Sequence, residues 1–177
     1  VYSQIEKIGV LIDKADEAAD LVSLMKNDVG EIIQNFSQEN ITVFHEIGFT
    51  YGIYTVNENS FIGEIYNLLG VENIANLKED PFGSGYPQFS EEEVINLNPN
   101  LIVVGHSDYL NKDLSTRIGW EEIRAIQNDN VYFLNENLAN NWGVSTVDLI
   151  NTLSEISQSQ EDPGLIYLNE YSEEIQN

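Results

Sequence analysis

The sequence contains no cysteine, which removes disulfides, thiolate metal sites and cysteine nucleophiles from consideration. Basic residues are nearly as scarce: seven Lys and Arg stand against 30 Asp and Glu, for a net charge of −23. Nucleic acid is therefore a poor partner, because phosphate binding needs a basic face. No apolar run approaches the roughly 18 to 20 residues of a membrane helix, and no signal peptide opens the chain. Val1 is not a natural start, so the sequence reads as a fragment. There are two histidines, His45 and His106, without acids at ligand spacing, so no metal site of the protein's own is expected. The chain also lacks a Ser-His-Asp arrangement and a phosphate loop, which speaks against an enzyme.

What is present is a foldable chain. Its 177 residues suit one domain with an appendage, and 42% hydrophobic with 10% aromatic content is enough for a real core. The acidic, lysine-poor surface suits high salt or an exposed extracellular life, where screening relieves self-repulsion.

The first 36 residues carry a helical rhythm. Ile5, Ile8, Ile12, Ala15, Ala19, Val22, Val29, Ile33 and Phe36 recur by threes and fours, and Leu11, Ala18, Met25 and Ile32 add a second stripe. Gly9 and Gly30 are the weak points of this helix. Unbroken, it makes a rod of about 48 Å that runs past one body toward another. A coiled-coil segment or a bent helix folded on its own domain is the other reading. Beyond it, short apolar runs alternate with helices. Strands are expected at Ile41 to Gly48, Leu101 to Gly105 and Val131 to Asn135. Helices are expected at Ser60 to Gly70, Ser90 to Asn98, Trp120 to Asn128, and from about Val144 through Ile156. Such alternation calls for an α/β fold with a parallel sheet covered on both faces.

One segment, YPQFSEEEVINLNPNLIVVGH (Tyr86 to His106), puts three acids at one end and a histidine at the other. Ser90 and Glu93 form a capping-box pattern, with Glu91 and Glu92 in the first turn, where the helix dipole favours acids. Helix-start chemistry alone accounts for the acids; it does not account for the rigid Tyr-Pro-Gln-Phe approach.

Here a resemblance enters. GVENIA (Gly70 to Ala75), YPQFSEEEVINLNPNLIVV (Tyr86 to Val104) and WEEIRAIQNDNVYFLNENL (Trp120 to Leu138) resemble the C-terminal lobe of one family. It is the class III substrate-binding proteins of ABC importers, the cobalamin, ferric-siderophore and haem group. The first 36 residues look like the long helix that joins the two lobes there. The resemblance implies a three-layer Rossmann-like lobe, with a mostly parallel sheet of about four strands behind one long linker helix. It divides the chain into an inter-lobe helix (1–36), a ligand-binding lobe (37–160) and a tail (161–177). It implies a non-enzymatic, extracytoplasmic protein, periplasmic or anchored at the cell surface, whose N-terminal lobe precedes Val1. It has no cofactor of its own; the ligand is a metal chelate, whether corrinoid, ferric siderophore or haem. In the family an S-x-E glutamate docks on the ABC permease, which here falls on Glu92, with Glu91 as substitute. Asn100 stands where members carry aspartate, and NNWGVS (Asn140 to Ser145) replaces a Pro-Arg pair, a departure in the cleft that leaves ligand class open.

Ligands of open parallel sheets bind beyond the carboxyl ends of the strands. His106 follows a strand there, as ligand contact or as a plain loop histidine; His45 reads as an interior one. Aromatic rings in loops present flat faces to a corrin, porphyrin or catecholate. The candidates are Tyr51, Tyr54, Tyr86 and Trp142, with amides from Asn57, Asn59 and Asn141 around them; each ring has a core reading too. Two rival functions stand: a stand-alone cell-surface interaction domain of the same fold, and an enzyme such as a metal chelatase.

Overall fold

A computed structural model describes residues 1–37, 40–107, 113–140 and 143–159. The expected tail (161–177) lies outside them, as do Asn141 and Trp142. The chain begins with α1 (Tyr2–Leu11) and α2 (Ala15–Asn35), then β1 (Thr42–Gly48) and β2 (Ile53–Thr55). It continues with α3 (Phe61–Leu69), β3 (Glu72–Asn73), a 3₁₀ turn (Ile74–Leu77), β4 (Gln88–Phe89), α4 (Glu91–Leu97) and β5 (Leu101–Val104). Two further 3₁₀ turns (Leu114–Thr116, Trp120–Glu122) precede α5 (Arg124–Gln127), β6 (Val131–Phe133), α6 (Glu136–Asn140) and α7 (Thr146–Gln158).

The six strands form one sheet in the order β4-β2-β1-β5-β6, with β3 also paired to β1. β1 runs parallel to β3 and β5, and β5 parallel to β6; β2 is antiparallel to both β1 and β4. The sheet is thus mostly parallel, as expected, but has six strands rather than about four. The three strands beyond those placed from sequence, β2, β3 and β4, are only two or three residues long, too short to show a period of two. One face packs Val43, Val103 and Tyr132 against α3, α7 and the end of α2, through Ile62, Ile65, Leu149, Leu153 and Val29. The other packs Phe44, Ile102 and Val104 under Val94 of α4, Trp120 and Ile123. Alternation along β1 sends neighbouring side chains into different cores, so four successive residues, Val43 to Glu46, are buried.

Caps set the helix ends where sequence placed them. Ser60 accepts from the Gly63 amide to start α3, and Gly70, at φ +72°, closes it. Two expectations are corrected. The long rod is two helices, because the chain turns at Ile12–Lys14 with Asp13 left-handed at φ 58°. Gly9 makes the fold-back possible: a Cβ there would lie 2.3 Å from the Ala18 Cβ, so only glycine lets α1 lie this close to α2. The expected helix from Trp120 to Asn128 is a 3₁₀ turn followed by a single α turn, with Ile123 extended between them.

Candidate functional site

β1 and β5 point the same way, so the segments after Gly48 and Val104 leave the sheet at one edge. β4 runs in that direction too, and its last residue, Phe89, pairs with Ile53, the first residue of β2. α4 therefore starts at the carboxyl edge, runs down the sheet, and β5 climbs back. The acids at Glu91 to Glu93 and the histidine at 106 are not at opposite ends of the lobe. The helix–strand return brings both to the same edge.

Beneath that edge lies a buried charge cluster that sequence reasoning missed. Glu46 of β1 is fully buried and accepts two bonds from Arg117, Nη1 to Oε2 at 2.6 Å and Nη2 to Oε1 at 2.9 Å. His106 Nε2 lies 2.9 Å from the same Oε1. Arg117 is sandwiched by rings, its guanidinium carbon 3.9 Å from the Phe49 centroid and 4.4 Å from that of Trp120. Burial alone pushes the Glu46 carboxyl up, but the bonds from Arg117 and His106 outweigh it and hold its pKa below the ordinary value. The cluster ties together the segments after β1, after β5 and before the 3₁₀ turn at Trp120. On the other face, His45 Nδ1 meets the Tyr66 hydroxyl at 2.8 Å. Burial, and secondarily the charge of His106, push the His45 pKa down to about 3, and burial raises that of Tyr66. Gly105 is held to glycine by this ring: a Cβ there would sit 2.8 Å from His45 Nε2.

The signal for Glu46 was in the sequence as a lone acid inside a strand buried on both faces. Arg117, 71 residues away, left no local trace of its partner.

The expected ligand residues divide. Tyr51, in the loop after β1, is 89% exposed, and Gln88 Nε2 donates to its carbonyl. Tyr54 pairs with Gln88 across β2 and β4, and Tyr86, two residues earlier, follows the same alternation; both rings are exposed. Tyr51 and Tyr54 border the carboxyl edge, whereas Tyr86 precedes β4 and lies three residues before Phe89, away from that edge. Asn59 is exposed and gives its backbone amide to Asn57 Oδ1. Two assignments are corrected. His106 is turned inward onto Glu46 instead of facing the rim. Asn57 is buried, donating to Asp80 Oδ2 at 3.1 Å in the turn that leads into α3.

At the tip, the expected capping box is complete. Ser90 Oγ accepts from the Glu93 amide, and Glu93 Oε2 accepts from the Ser90 amide at 2.7 Å. Lys78 Nζ binds the same carboxylate at 2.6 and 2.7 Å and lies 4.7 Å from the Phe89 ring centroid. Lys78 first, and then the Ser90 amide, lower the Glu93 pKa. Glu93 is thereby committed to structure. Glu92 is exposed and, among the described residues, has no partner.

A family model described as periplasmic binding protein matches residues 1–138. The chain is 29% identical over 159 residues to the uncharacterized ABC transporter substrate-binding lipoprotein YvrC of Bacillus subtilis, covering 88% of this chain and 49% of that protein. It thus spans about half the length of that curated relative. Among solved structures, IsdE of S. aureus complexed with haem superposes with a TM-score of 0.73 at 18% identity, over 89% of this chain and 64% of that one. The vitamin B12 binding protein BtuF of Vibrio cholerae does so with a TM-score of 0.68 at 23% identity, over 90% and 62%. Likenesses at such identities concern the fold.

Proposed function

This chain belongs to the periplasmic binding protein family, and from that premise we propose that it is the second of two lobes in the substrate-binding component of an ABC importer for a metal chelate. The observation that carries the reading is the division of the carboxyl edge. Its interior is pinned by Glu46, Arg117 and His106, while Tyr51 and Tyr54 stay exposed along it. A rigid frame with exposed flat rings suits one wall of a cleft for a corrinoid, a haem or a ferric siderophore. The opposite wall is a preceding lobe of the same polypeptide. The α1–α2 hairpin supports this, since Ile8, Val10, Leu11, Ile12 and Leu24 all stand exposed on it. Large apolar side chains left outside in this number suit a surface that a partner covers. The ligand is cargo and no chemistry is done on it, so the protein is not an enzyme. Its place is outside the cytoplasm, periplasmic or at the cell surface.

Glu92 is the carboxylate that meets the permease. It sits on a capped helix start, keeps its charge uncommitted, and can pair with an arginine bidentately. The full-length protein purified from its own host is expected to carry a coloured chelate, detected by absorbance and native mass spectrometry. Glu92→Arg is expected to abolish uptake while the chelate still co-purifies. Uptake at the unaltered rate removes Glu92 from the docking surface, and a colourless, ligand-free protein counts against the chelate.

A further inference from the structure

Beside the tip, between α4 and the 3₁₀ turn Ile74–Leu77 with the loop after it, lies a groove of about 640 Å³. Leu77, Pro81 and Leu97 line its sides, with Phe89, Lys78 and Glu93 among its lining residues. We propose that this groove receives an aliphatic side chain of the permease while Glu92 binds a basic residue of the same permease element. The inference rests on the docking reading above and adds an apolar anchor to it.

The groove is preorganised by the residues that start α4. One carboxylate, Glu93, closes the capping box and holds Lys78, whose ammonium lies against the Phe89 ring. Lys78 and Glu93 satisfy each other, so the charge left at the groove is that of Glu79, beside the apolar walls of Leu77, Pro81 and Leu97. Leu77 is 65% exposed and Phe82, five residues on, is 93% exposed. Large apolar side chains left outside in this way mark surfaces that a partner covers. Asn96 also lines the groove and lies one helical turn after Glu92, so charge and groove share one face of one helix.

The surroundings choose the partner. Glu79 is exposed at the groove, Glu91 and Glu92 stand at one end, and the chain as a whole carries −23. A second copy brings the same charge and is repelled. A basic element with one protruding aliphatic residue satisfies both features, its cation on Glu92 and its side chain in the groove.

The test measures the apparent Kd of the full-length protein for its own importer in lipid nanodiscs. Asn96→Trp fills the groove, and Leu77→Asp charges its wall; among the described residues neither makes a side-chain bond that holds α4. With melting temperatures unchanged, each is expected to weaken docking by tenfold or more, the scale of one lost buried aliphatic contact. If both variants dock as the wild type does while Glu92→Arg does not dock, the groove is overturned and the glutamate reading stands. If Glu92→Arg also docks normally, the docking reading falls and takes the groove with it. Sedimentation showing a dimer that Asn96→Trp dissociates assigns the groove to a second copy and overturns the proposal.

Discussion

Glu46 and Glu92 reach the same edge of the sheet and have opposite fates. Glu46 is fully buried and gives both oxygens to Arg117 and one also to His106. Glu92 is exposed, with the bonds of its first turn made by Ser90 and Glu93 instead. A carboxylate that is expensive to hold in the interior is useful there only when completely paired, and then it fixes geometry. One that is to meet another protein must be held in place by its neighbours and left free itself. The lobe therefore uses its bonded acids for shape, and the proposed docking role falls to an unbonded one.

The sharpest break of this comparison is Arg117→Met. Removing one partner of a buried pair leaves an uncompensated charge, and unfolding stability is expected to fall by about 3–5 kcal/mol in denaturant titration. The double variant Glu46→Leu with Arg117→Met is expected to recover much of that loss. Glu92→Arg is expected to move stability by no more than about 0.5 kcal/mol. Equal effects at positions 46 and 92 sink the contrast.

Next in size is the response to acid, through His45. In the unfolded chain this imidazole titrates near 6.5, whereas burial holds it down to about 3 in the fold. On acidification the unfolded state takes up a proton that the folded state refuses. The stabilisation is complete above about pH 6.5 and is lost as pH falls toward 3. The loss from this residue alone amounts to roughly 3 kcal/mol by pH 4. Glu46, lowered from 4.5, adds its own loss only in more acid solution, as pH falls through and below that value. Denaturant titrations of wild type and His45→Leu at pH 7, 5.5 and 4 separate the two. The variant starts lower, since the Tyr66 hydroxyl loses its partner, but its slope between pH 6.5 and 5 is expected to be shallower. An unchanged slope refutes a neutral interior His45.

The elements that sequence made legible are those with enough residues to show a period. β1, β5, α3, α4 and α7 lie where their apolar runs and caps placed them, and the Ser90 box is bonded as its spacing implied. What was not legible depends on residues far apart. The fold-back at Asp13 follows from the contact of Gly9 with Ala18, which the shared helical stripe conceals. β2 and β4 owe their existence to each other and to β1, not to their own two or three residues. His106 looked like a ligand because it follows a strand, and only the fold brings Glu46 within 2.9 Å to turn it inward. For Tyr51 the sequence supplied the ring and the loop; Tyr54 lies in β2 instead of the expected loop, and its pairing with Gln88 sets its place.

The smallest expected effect concerns Glu92 and the neighbours that cap its helix. Ser90→Ala removes the hydroxyl that accepts from the Glu93 amide, at a cost of about 1 kcal/mol. Glu93 keeps Lys78, so the groove side of α4 holds, but the first turn that carries Glu91 and Glu92 is released from its cap. The charge on Glu92 is untouched; only its position becomes less defined. If recognition depends on that position, importer affinity is expected to fall several-fold, well short of the loss in Glu92→Arg, with the chelate still bound. If it depends on charge alone, Ser90→Ala docks like the wild type, and the free carboxylate at the tip needs no rigid neighbour after all.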